Sequence, residues 1–457
     1  FTVFIRGKLM SDIKFRQIAE TIEARINTGV YPANTKLPPH RVLADELETT
    51  PTTVSKAYKL LADKNKVESF VGRGTFVCGD SELETVIQAP ENDADYNFSI
   101  LQPCLEYNVL PLQAAFQQTY AALPSELLGY IEHSGHLAHR QAGMKWAAEF
   151  GLSVSDPDQI LLASGAQNAL EILIQTYTTP GDCIAVEAFT YPGILSIANL
   201  LGRRIVEVAM DDKGMCPIAL KQTILSDKPK VVVIVPSHQN PTGVTMPKAR
   251  REAIAKVIAA GNIWLLEDDI YGFLNETTIP AISNYIPEKS FHISSLSKAI
   301  SPALRCAFIK APKSEVRRVG ACIRTSIWLA SPLNFAVAAQ LINSGDAFAM
   351  ANKQKQLAMQ RQAFVADKFS FLTCSSQASS YHVWVALPAH WRQEHFVMEA
   401  KNQQLLVSSG GYFSQQSDKS NHIRLSLMAI NDEQRFQQGI VLLADLLKDG
   451  QGSHFLF

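Results

Sequence analysis

The apolar positions near the amino terminus recur at the spacing of a helix. They predict three amphipathic helices, at Asp12–Thr28, His40–Glu48 and about Thr52–Lys64. The residues expected to face the core are Ile13, Ile18, Ile22 and Ile26 in the first helix, Val42, Leu43 and Leu47 in the second, and Val54, Ala57, Tyr58, Leu60 and Leu61 in the third. Thr50 suits the N-cap of the third helix, and Pro51 suits its first turn. Two short helices joined by a tight turn predict a helix-turn-helix.

Two short apolar runs follow the third helix and predict a hairpin. They flank a basic tip framed by glycines, Gly72-Arg73-Gly74. A hairpin in this place is typical of a wing, and Arg73 could enter the minor groove of DNA or contact its backbone. At the start of the third helix, hydroxyl groups stand where they could reach phosphates or base edges, at Thr50, Thr52, Thr53 and Ser55. A small helical packing module without DNA is the alternative.

From about Asp158 onward the pattern changes to apolar runs separated by helical stretches. The runs are Gln159–Ala163, Cys183–Val186, Lys230–Val235, Asn262–Glu267 and Phe291–Ile293. They are continuous rather than alternating, and this predicts buried strands of a mostly parallel sheet. Ligands of such sheets collect at the carboxyl ends of the strands, so the loops that follow these runs are expected to hold the chemistry.

Composition limits the class of protein. The chain has 457 residues, more than one ordinary core accommodates, so two or three domains are expected. Its net charge of −1 excludes a global basic field. The seven cysteines are odd in number and show no metal-ligand spacing, which favours a reduced cytoplasm and no metal site. No apolar run is long enough to span a membrane. We therefore expect a soluble cytoplasmic protein without membrane contact.

Residue chemistry and composition also mark out segments. Residues 1–9 precede Met10 and are not expected to belong to the natural protein. Residues 10–78 hold the predicted DNA-binding unit. Residues 79–96 are rich in acids and poor in periodicity, and they predict an acidic linker. Residues 97–457 form the predicted body.

Four loops of the body carry candidate chemistry. A glycine turn at Ser164–Asn168 precedes a predicted helix at Ala169–Tyr177, which suits a phosphate but also an ordinary strand–helix connection. The turn Asn240-Pro-Thr-Gly243 aims one amide side chain. The cluster Glu267-Asp268-Asp269 needs a cationic partner, either a protonated pyridine nitrogen or, less in keeping with the nearby residues, a metal ion. In the first case Tyr271 could reach a hydroxyl on the same ring.

The fourth loop places Lys298 among small hydroxyl residues, with Arg305 seven positions on. A lysine in such surroundings can form a Schiff base, and the hydroxyls and the guanidinium can bind a phosphate beside it. Taken alone, the same pattern is also typical of a solvated loop lysine. The glycine turn and the acidic cluster are what favour the Schiff base.

The amino-terminal unit resembles the winged-helix domain of the GntR family. The resemblance rests on Leu37-Pro-x-x-Arg41-x-Leu43-Ala44, Thr53-Val54-x-x-Ala57-Tyr58-x-x-Leu61 and Gly72-x-Gly74-Thr75-Phe76-Val77. It implies that Arg41, Thr52, Thr53 and the Gly72–Gly74 wing contact a double-stranded DNA operator, and we add Lys56 on the same helix. The family often has an arginine where Pro51 stands here.

The body resembles the fold-type I aminotransferases of class I/II, an α/β fold with a mostly parallel sheet. The resemblance rests on the ordered glycine turn, Asn-Pro-x-Gly, Asp-x-x-Tyr, Ser-x-x-Lys and arginine. It implies that Lys298 carries pyridoxal 5′-phosphate as a Schiff base, that Asp268 pairs with the pyridinium nitrogen, and that Asn240 and Tyr271 hold the 3-hydroxyl. The residues implied to bind the phosphate are Gly165, Ala166, Gln167, Ser295 and Arg305. The remaining implied contacts are Tyr191 stacked on the ring, Tyr130 reaching the partner subunit's phosphate, and Arg424 on a ligand carboxylate.

The two resemblances together are those of the MocR subfamily of GntR regulators. They imply a dimeric transcription factor, domain-swapped head to tail, whose DNA binding is modulated by pyridoxal 5′-phosphate or by its adduct with a small amino effector. An active aminotransferase with a DNA-binding appendage is the alternative. A repressor indifferent to metabolites is a third possibility.

Overall fold

The chain divides into two compact units, residues 1–85 and 86–457. The structure, a computed structural model, describes residues 2–27, 30–31, 35–63, 66–70, 74–77, 95–131, 135–415 and 420–448. The helices of these residues are α1 (Thr2–Asn27), α2 (His40–Glu46), α3 (Pro51–Asp63), α4 (Val109–Ala121), α5 (Leu137–Glu149), α6 (Ala166–Tyr177), α7 (Pro192–Leu200), α8 (Pro217–Ser226), α9 (Lys248–Ala260), α10 (Val316–Ile327), α11 (Pro332–Ser344), α12 (Asp346–Lys368), α13 (Gln393–Asn402) and α14 (Glu433–Lys448). The strands are β1 (Val67–Phe70), β2 (Gly74–Val77), β3 (Tyr96–Asn97), β4 (Ile160–Ala163), β5 (Cys183–Glu187), β6 (Arg204–Val208), β7 (Met210–Asp211), β8 (Gly214–Met215), β9 (Val231–Ile234), β10 (Trp264–Asp268), β11 (Ser290–Ser295), β12 (Ala307–Lys310), β13 (Cys374–Ser375), β14 (His382–Ala386), β15 (Leu405–Leu406), β16 (Ser408–Ser409) and β17 (His422–Ser426).

The first unit is a three-helix core with an antiparallel hairpin. Helices α1, α2 and α3 pack around one apolar cluster, and β1 pairs with β2 from Val67–Val77 to Phe70–Gly74. Pro51 occupies the first position of α3, and the backbone N–H of Thr53 donates to the Thr50 hydroxyl at 3.3 Å, as the predicted N-cap requires. The predicted helix-turn-helix and hairpin are therefore present.

Two details of the first unit differ from the predictions. Helix α1 begins at Thr2 rather than Asp12. Val42 was expected in the core but is 56% exposed, because α2 turns Leu43 and Ala44 inward and leaves the preceding position in solvent. Helix α2 has only seven residues, so its buried face is narrower than the apolar pattern indicated.

The second unit is built on a seven-stranded sheet in the order β4-β12-β11-β10-β9-β5-β6. The run from β11 to β6 is parallel, and β12 is antiparallel to both of its neighbours. Helices α6 and α7 pack on one face of the sheet, in a cluster that includes Leu170, Leu173 and Ile194. Burial on both faces is the reason that the strand sequences read as continuous apolar runs. The predicted α/β fold with a mostly parallel sheet is confirmed.

The carboxyl-terminal part adds a four-stranded antiparallel sheet, β13-β14-β17-β16, covered by α13 and α14. The start of the body also joins this region. Strand β3 pairs in parallel with β15, Tyr96 opposite Leu405, and the Ser426 N–H donates to the carbonyl of Phe98 at 2.7 Å. The residues that follow β3 are thereby carried toward the carboxyl ends of the parallel strands.

Candidate functional site

The loop after β11 fixes Lys298 by contacts from distant parts of the chain. Its Nζ donates to the carbonyl of Leu101 at 2.6 Å, and its own carbonyl accepts from the Tyr381 hydroxyl at 2.9 Å. The amide of Asn108 donates to the next two carbonyls, those of Ala299 and Ile300. Burial, together with the charge of nearby Arg424, lowers the pKa of the Lys298 ammonium to about 8. The amine is therefore easier to deprotonate than an ordinary lysine, as a Schiff-base nucleophile needs.

The three acids at the end of β10 do not point the same way, because successive side chains alternate, and Asp268 therefore points away from its two neighbours. Glu267 accepts from the backbone N–H groups of Ile282 and Ser283, at 2.7 and 2.8 Å. Asp269 lies 3.8 Å from His292 and 3.9 Å from Arg251. Only Asp268 faces the same side as Lys298, so the cluster is not a set of ligands that converge on one point.

Asp268 is a buried carboxylate without a fixed partner. It is 2% exposed, and its Oδ1 has no hydrogen-bond partner within the described part of the chain. Burial, together with the neighbouring charge of Asp269, raises the pKa of the carboxyl to about 7. Burial thus disfavours the charged form of this carboxyl, and a cationic N–H placed against Oδ1 would stabilise that form.

The turn between β4 and α6 forms a cradle with Arg305. Gly165 has φ of +90°, and a Cβ there would lie 2.3 Å from Nη2 of Arg305, which itself donates to the Ser164 carbonyl at 3.0 Å. Helix α6 begins at Ala166 without a side-chain cap, so its first N–H groups and the guanidinium face one small space. The prediction assigned the Gly165 N–H to the phosphate, whereas in the structure this N–H donates to the carbonyl of Ala163 at 2.8 Å. Gly165 contributes its lack of a side chain rather than a donor.

Ser295 is tied to its own loop. Its hydroxyl donates to the Cys306 carbonyl at 3.0 Å, lies 3.1 Å from the Ser297 hydroxyl and accepts from the Ser297 N–H at 3.1 Å. These bonds hold the Lys298 loop against Cys306, which lies between Arg305 and the start of β12. The predicted phosphate contact would have to replace one of them.

Arg424 on β17 is buried, and its hydrogen-bond partners among the described residues are all neutral oxygens. It is 3% exposed, its Nη2 donates to the Ser99 carbonyl and at 3.0 Å to the Ser408 hydroxyl, and its Nη1 donates to Oδ1 of Asn240 at 3.1 Å. Its Nε has no hydrogen-bond partner among the described residues. Burial lowers the pKa of the guanidinium to about 10. A buried cation held only by neutral oxygens is ready for a carboxylate.

Three predicted aromatic residues complete the second unit's site. Tyr271 is buried, and burial raises the pKa of its hydroxyl. Burial raises the pKa of Tyr191 to about 12, with a further rise from the charge of Asp268. The Gln167 side-chain amide donates to the Gly193 carbonyl at 3.1 Å and so lies beside the Tyr191 turn. Tyr130 stands apart, 85% exposed, with its ring 5.7 Å from that of Trp328.

The predicted DNA-contacting residues of the first unit lie on its surface. Arg41, Thr52, Ser55 and Lys56 are exposed. The hydroxyls of Thr50 and Thr53 form a hydrogen bond of 2.8 Å with each other at the start of α3. Both hydroxyls therefore already have a partner within the helix cap. Gly74 begins β2 with φ of +106°, next to the Lys36 side chain. Gly72 and Arg73 lie outside the described residues.

The sequence did not indicate several residues that shape this site. Ser99 and Leu101 act through backbone carbonyls, which carry no side-chain signature. Arg251 is fully buried and donates to the Ser237 hydroxyl at 2.9 Å and to the backbone carbonyls of Pro236 and Met246, which lie on either side of Asn240 in the sequence. A basic residue inside an otherwise apolar helical face was the available signal for Arg251.

Membrane and metal features were also sought in the described residues. None of their helices is both long and apolar enough to cross a membrane. Within the same residues, no three potential metal ligands of the His, Cys, Asp or Glu type come together.

Comparison with known proteins agrees with this arrangement. Residues 96–440 match the family model described as aminotransferase class I and II, and residues 14–77 match that of bacterial regulatory proteins of the gntR family. The chain is 27% identical to the uncharacterized HTH-type transcriptional regulator YdeF of Bacillus subtilis, over 95% of this chain and 94% of that protein. It is 26% identical to the HTH-type pyridoxine biosynthesis transcriptional regulator PdxR of Corynebacterium glutamicum, over 66% of each. Kynurenine aminotransferase of Pyrococcus horikoshii, solved with PMP, has a similar fold, with a TM-score of 0.73 at 22% identity over 81% of this chain and 95% of that one.

Proposed function

The chain belongs to the aminotransferase class I and II family and carries a gntR-family domain in front of it, and on that premise we propose that it is a pyridoxal 5′-phosphate-dependent transcription regulator. This two-part architecture is that of the MocR subfamily. The first unit binds operator DNA in the cytoplasm, and the second unit binds the cofactor and a small amino compound. The observation that carries the proposal is that a DNA-binding fold and a complete set of cofactor-type residues occur in one chain.

The residues present fit the cofactor. Its protonated ring nitrogen matches Oδ1 of Asp268, the buried acceptor that has no partner among the described residues. Its phosphate matches the space between the start of α6 and Arg305, which exists because position 165 has no Cβ. Its aldehyde matches Lys298, whose pKa burial has lowered to about 8. When bound, pyridoxal 5′-phosphate supplies an aldehyde that condenses with primary amines and a ring that withdraws electrons.

The remaining roles are proposed from the match of these residues to the aminotransferase class I and II pattern. Asn240 and Tyr271 hold the ring hydroxyl, and Tyr191 covers one face of the ring. Asp268 keeps the ring nitrogen protonated, because a carboxylate buried against a cation favours the charged pair. The backbone N–H groups of Ala166 and Gln167, together with Arg305 and the hydroxyl of Ser295, bind the phosphate.

Arg424 selects the effector. A guanidinium binds a carboxylate through two parallel hydrogen bonds, and here it is already desolvated and oriented by Asn240 and Ser408. The effector we propose is therefore an amino compound with a carboxylate. Lys298 and Arg424 are close enough for the charge of Arg424 to lower the pKa of Lys298.

The proposed assembly is a homodimer with the DNA-binding units exchanged head to tail. Tyr130 supports it, because a tyrosine that is 85% exposed is available to reach the partner subunit's phosphate. The Arg41, Thr52, Ser55 and Lys56 side chains, which are exposed, and the Gly72–Gly74 wing would contact the operator.

One experiment separates this function from catalysis. Operator binding of the full chain is measured with and without pyridoxal 5′-phosphate, beside the variant Lys298→Ala. We expect the cofactor to change the operator affinity of the natural protein and not that of the variant. Turnover of an amino acid with a keto acid at a rate on the order of 1–1000 per second would favour an aminotransferase instead. Equal operator affinity with and without the cofactor, when the cofactor is shown to be bound, would contradict the proposed regulation.

A further inference from the structure

The segment Asn97–Cys104, named here the linker-proximal segment, occupies both ends of the ligand site with its own backbone. The carbonyl of Ser99 accepts from Arg424, and two residues on the carbonyl of Leu101 accepts from Lys298 at 2.6 Å. These are the two cations to which the proposed function assigns the effector carboxylate and the cofactor aldehyde. Each therefore already has a neutral oxygen in the place of its ligand.

The linker-proximal segment is shaped to present these carbonyls. Oδ1 of Asn97 accepts from the backbone N–H groups of Ser99 and Ile100, at 2.9 and 3.3 Å, and from the Ser99 hydroxyl at 2.9 Å. This turn, closed by a side chain, uses the N–H groups on one side and leaves the carbonyls directed elsewhere. At the far end, the side-chain amide of Gln354 binds both the N–H and the carbonyl of Cys104.

The anchors on both sides also touch the Lys298 loop. The amide nitrogen of Gln354 donates to Oδ1 of Asn108 at 3.1 Å, and the amide of Asn108 donates to the carbonyls of Ala299 and Ile300. A change in the linker-proximal segment is thereby connected to the lysine through buried hydrogen bonds. Along the sequence, the other end of the segment leads through residues 79–96 to the gntR-family domain.

We infer that the linker-proximal segment is an internal competitor of the ligand, displaced from Arg424 when a carboxylate binds and from Lys298 when the cofactor binds. Because the two carbonyls lie two residues apart in one short segment, release of one weakens the hold of the other. Carboxylate binding and cofactor attachment are then positively coupled, and the two states of the segment are what a ligand distinguishes. The inference rests on the proposed roles of Lys298 and Arg424. It states how ligand binding at the site would change the segment that follows the linker.

Hydrogen exchange of the full-length protein without cofactor tests the first half of this inference. Propionate is the probe, since it has a carboxylate and no amine. We expect propionate to speed amide exchange in the peptide that covers residues 97–104, and to leave it unchanged in Arg424→Met. The Asn97→Ala variant should show the faster exchange without propionate, whereas Asn97→Asp, which keeps the acceptor, should behave as the natural protein does.

Cofactor uptake tests the second half. Propionate should raise the affinity for the cofactor, measured by titration of the bound cofactor's visible absorbance, by ~10-fold, a coupling within the range common for linked sites. Asn97→Ala should reproduce this increase without propionate. A cofactor affinity that is unchanged or lowered by propionate, with exchange of residues 97–104 unaltered, would overturn this inference and leave the proposed function standing. A protein that takes up no cofactor under any condition would overturn both.

Discussion

Gly165→Ala tests the cofactor cradle most directly. The backbone at this position has φ of +90° and ψ of 163°, a region that is open almost only to glycine. An added Cβ would also lie 2.3 Å from Nη2 and 2.6 Å from Cζ of Arg305. The substitution therefore strains the turn and pushes the guanidinium away from the start of α6.

The two effects have separate magnitudes. Forcing a residue other than glycine into this backbone region costs on the order of 1–3 kcal/mol of folding stability. Displacing Arg305 removes a charge-assisted hydrogen bond to the phosphate, worth about 1.5–3 kcal/mol. At about 1.4 kcal/mol for each factor of ten, cofactor affinity should fall roughly 10- to 150-fold. Gly181→Ala is the matched control, because Gly181 has φ of +87° but an added Cβ there would meet no atom within 4 Å.

Equilibrium dialysis of pyridoxal 5′-phosphate and urea denaturation measure the two effects independently. Both glycine variants should lose stability, and only Gly165→Ala should lose affinity. In an Arg305→Ala background, Gly165→Ala should cost little further affinity, since no guanidinium is left to displace. Natural affinity in Gly165→Ala would refute the cradle, and an equal loss of affinity in Gly181→Ala would show that general strain explains the result.

Further predictions concern the acids and the DNA-binding unit. Burial raises the pKa of Asp268 to about 7, above its value in the unfolded chain, so the cofactor-free protein loses stability as the pH rises from about 4 to about 7. Asp268→Asn removes that loss. The free energy of unfolding of this variant, measured with urea, should therefore rise relative to that of the natural protein as the pH increases from about 4 to about 7, and a difference that stays constant would contradict the argument. Glu267→Gln should cost about 1–3 kcal/mol because it places a donor against buried N–H groups, whereas Glu252→Gln at the surface should stay within ~0.5 kcal/mol. Arg41→Ala should weaken operator binding and lower the slope of log affinity against log salt by about 1, with the exposed neighbour Val42→Ala as control and an unchanged slope as the adverse result.

The extent to which the sequence predicted this molecule differs between kinds of feature. Strands buried on both faces give continuous apolar runs, and β5, β9 and β10 were predicted to within two residues at each end. Local turns were also readable, because the Thr50 cap and the glycine at position 165 depend on residue type. The exposure of Val42 could not be predicted. Val42 and Leu43 are adjacent apolar residues, and the sequence gives the same pattern whether the short helix buries both of them or only one.

Within the site, side chains with specific chemistry could be predicted and backbone partners could not. Lys298 and Asp268 are recognisable as charged residues at or just beyond the ends of apolar strands, whereas Arg424, in the middle of β17, was recognisable from its match to the family motif. The carbonyls of Ser99 and Leu101 exist at every residue, and only the fold shows which of them meets a cation. The same applies to Gln354, whose contacts with Cys104 span 250 positions of sequence.

The pairing of β3 with β15 has a consequence for biosynthesis. Tyr96 leaves the ribosome about three hundred residues before its partner Leu405, and Ser99 meets Arg424 later still. The gntR-family domain can complete its own core long before then, because the apolar cluster of its described residues runs from Ile18 to Val77. A nascent chain is therefore able to form its DNA-binding domain early, while the ligand site is completed only when translation is almost finished. A truncated transcript would yield a DNA-binding domain that no metabolite regulates.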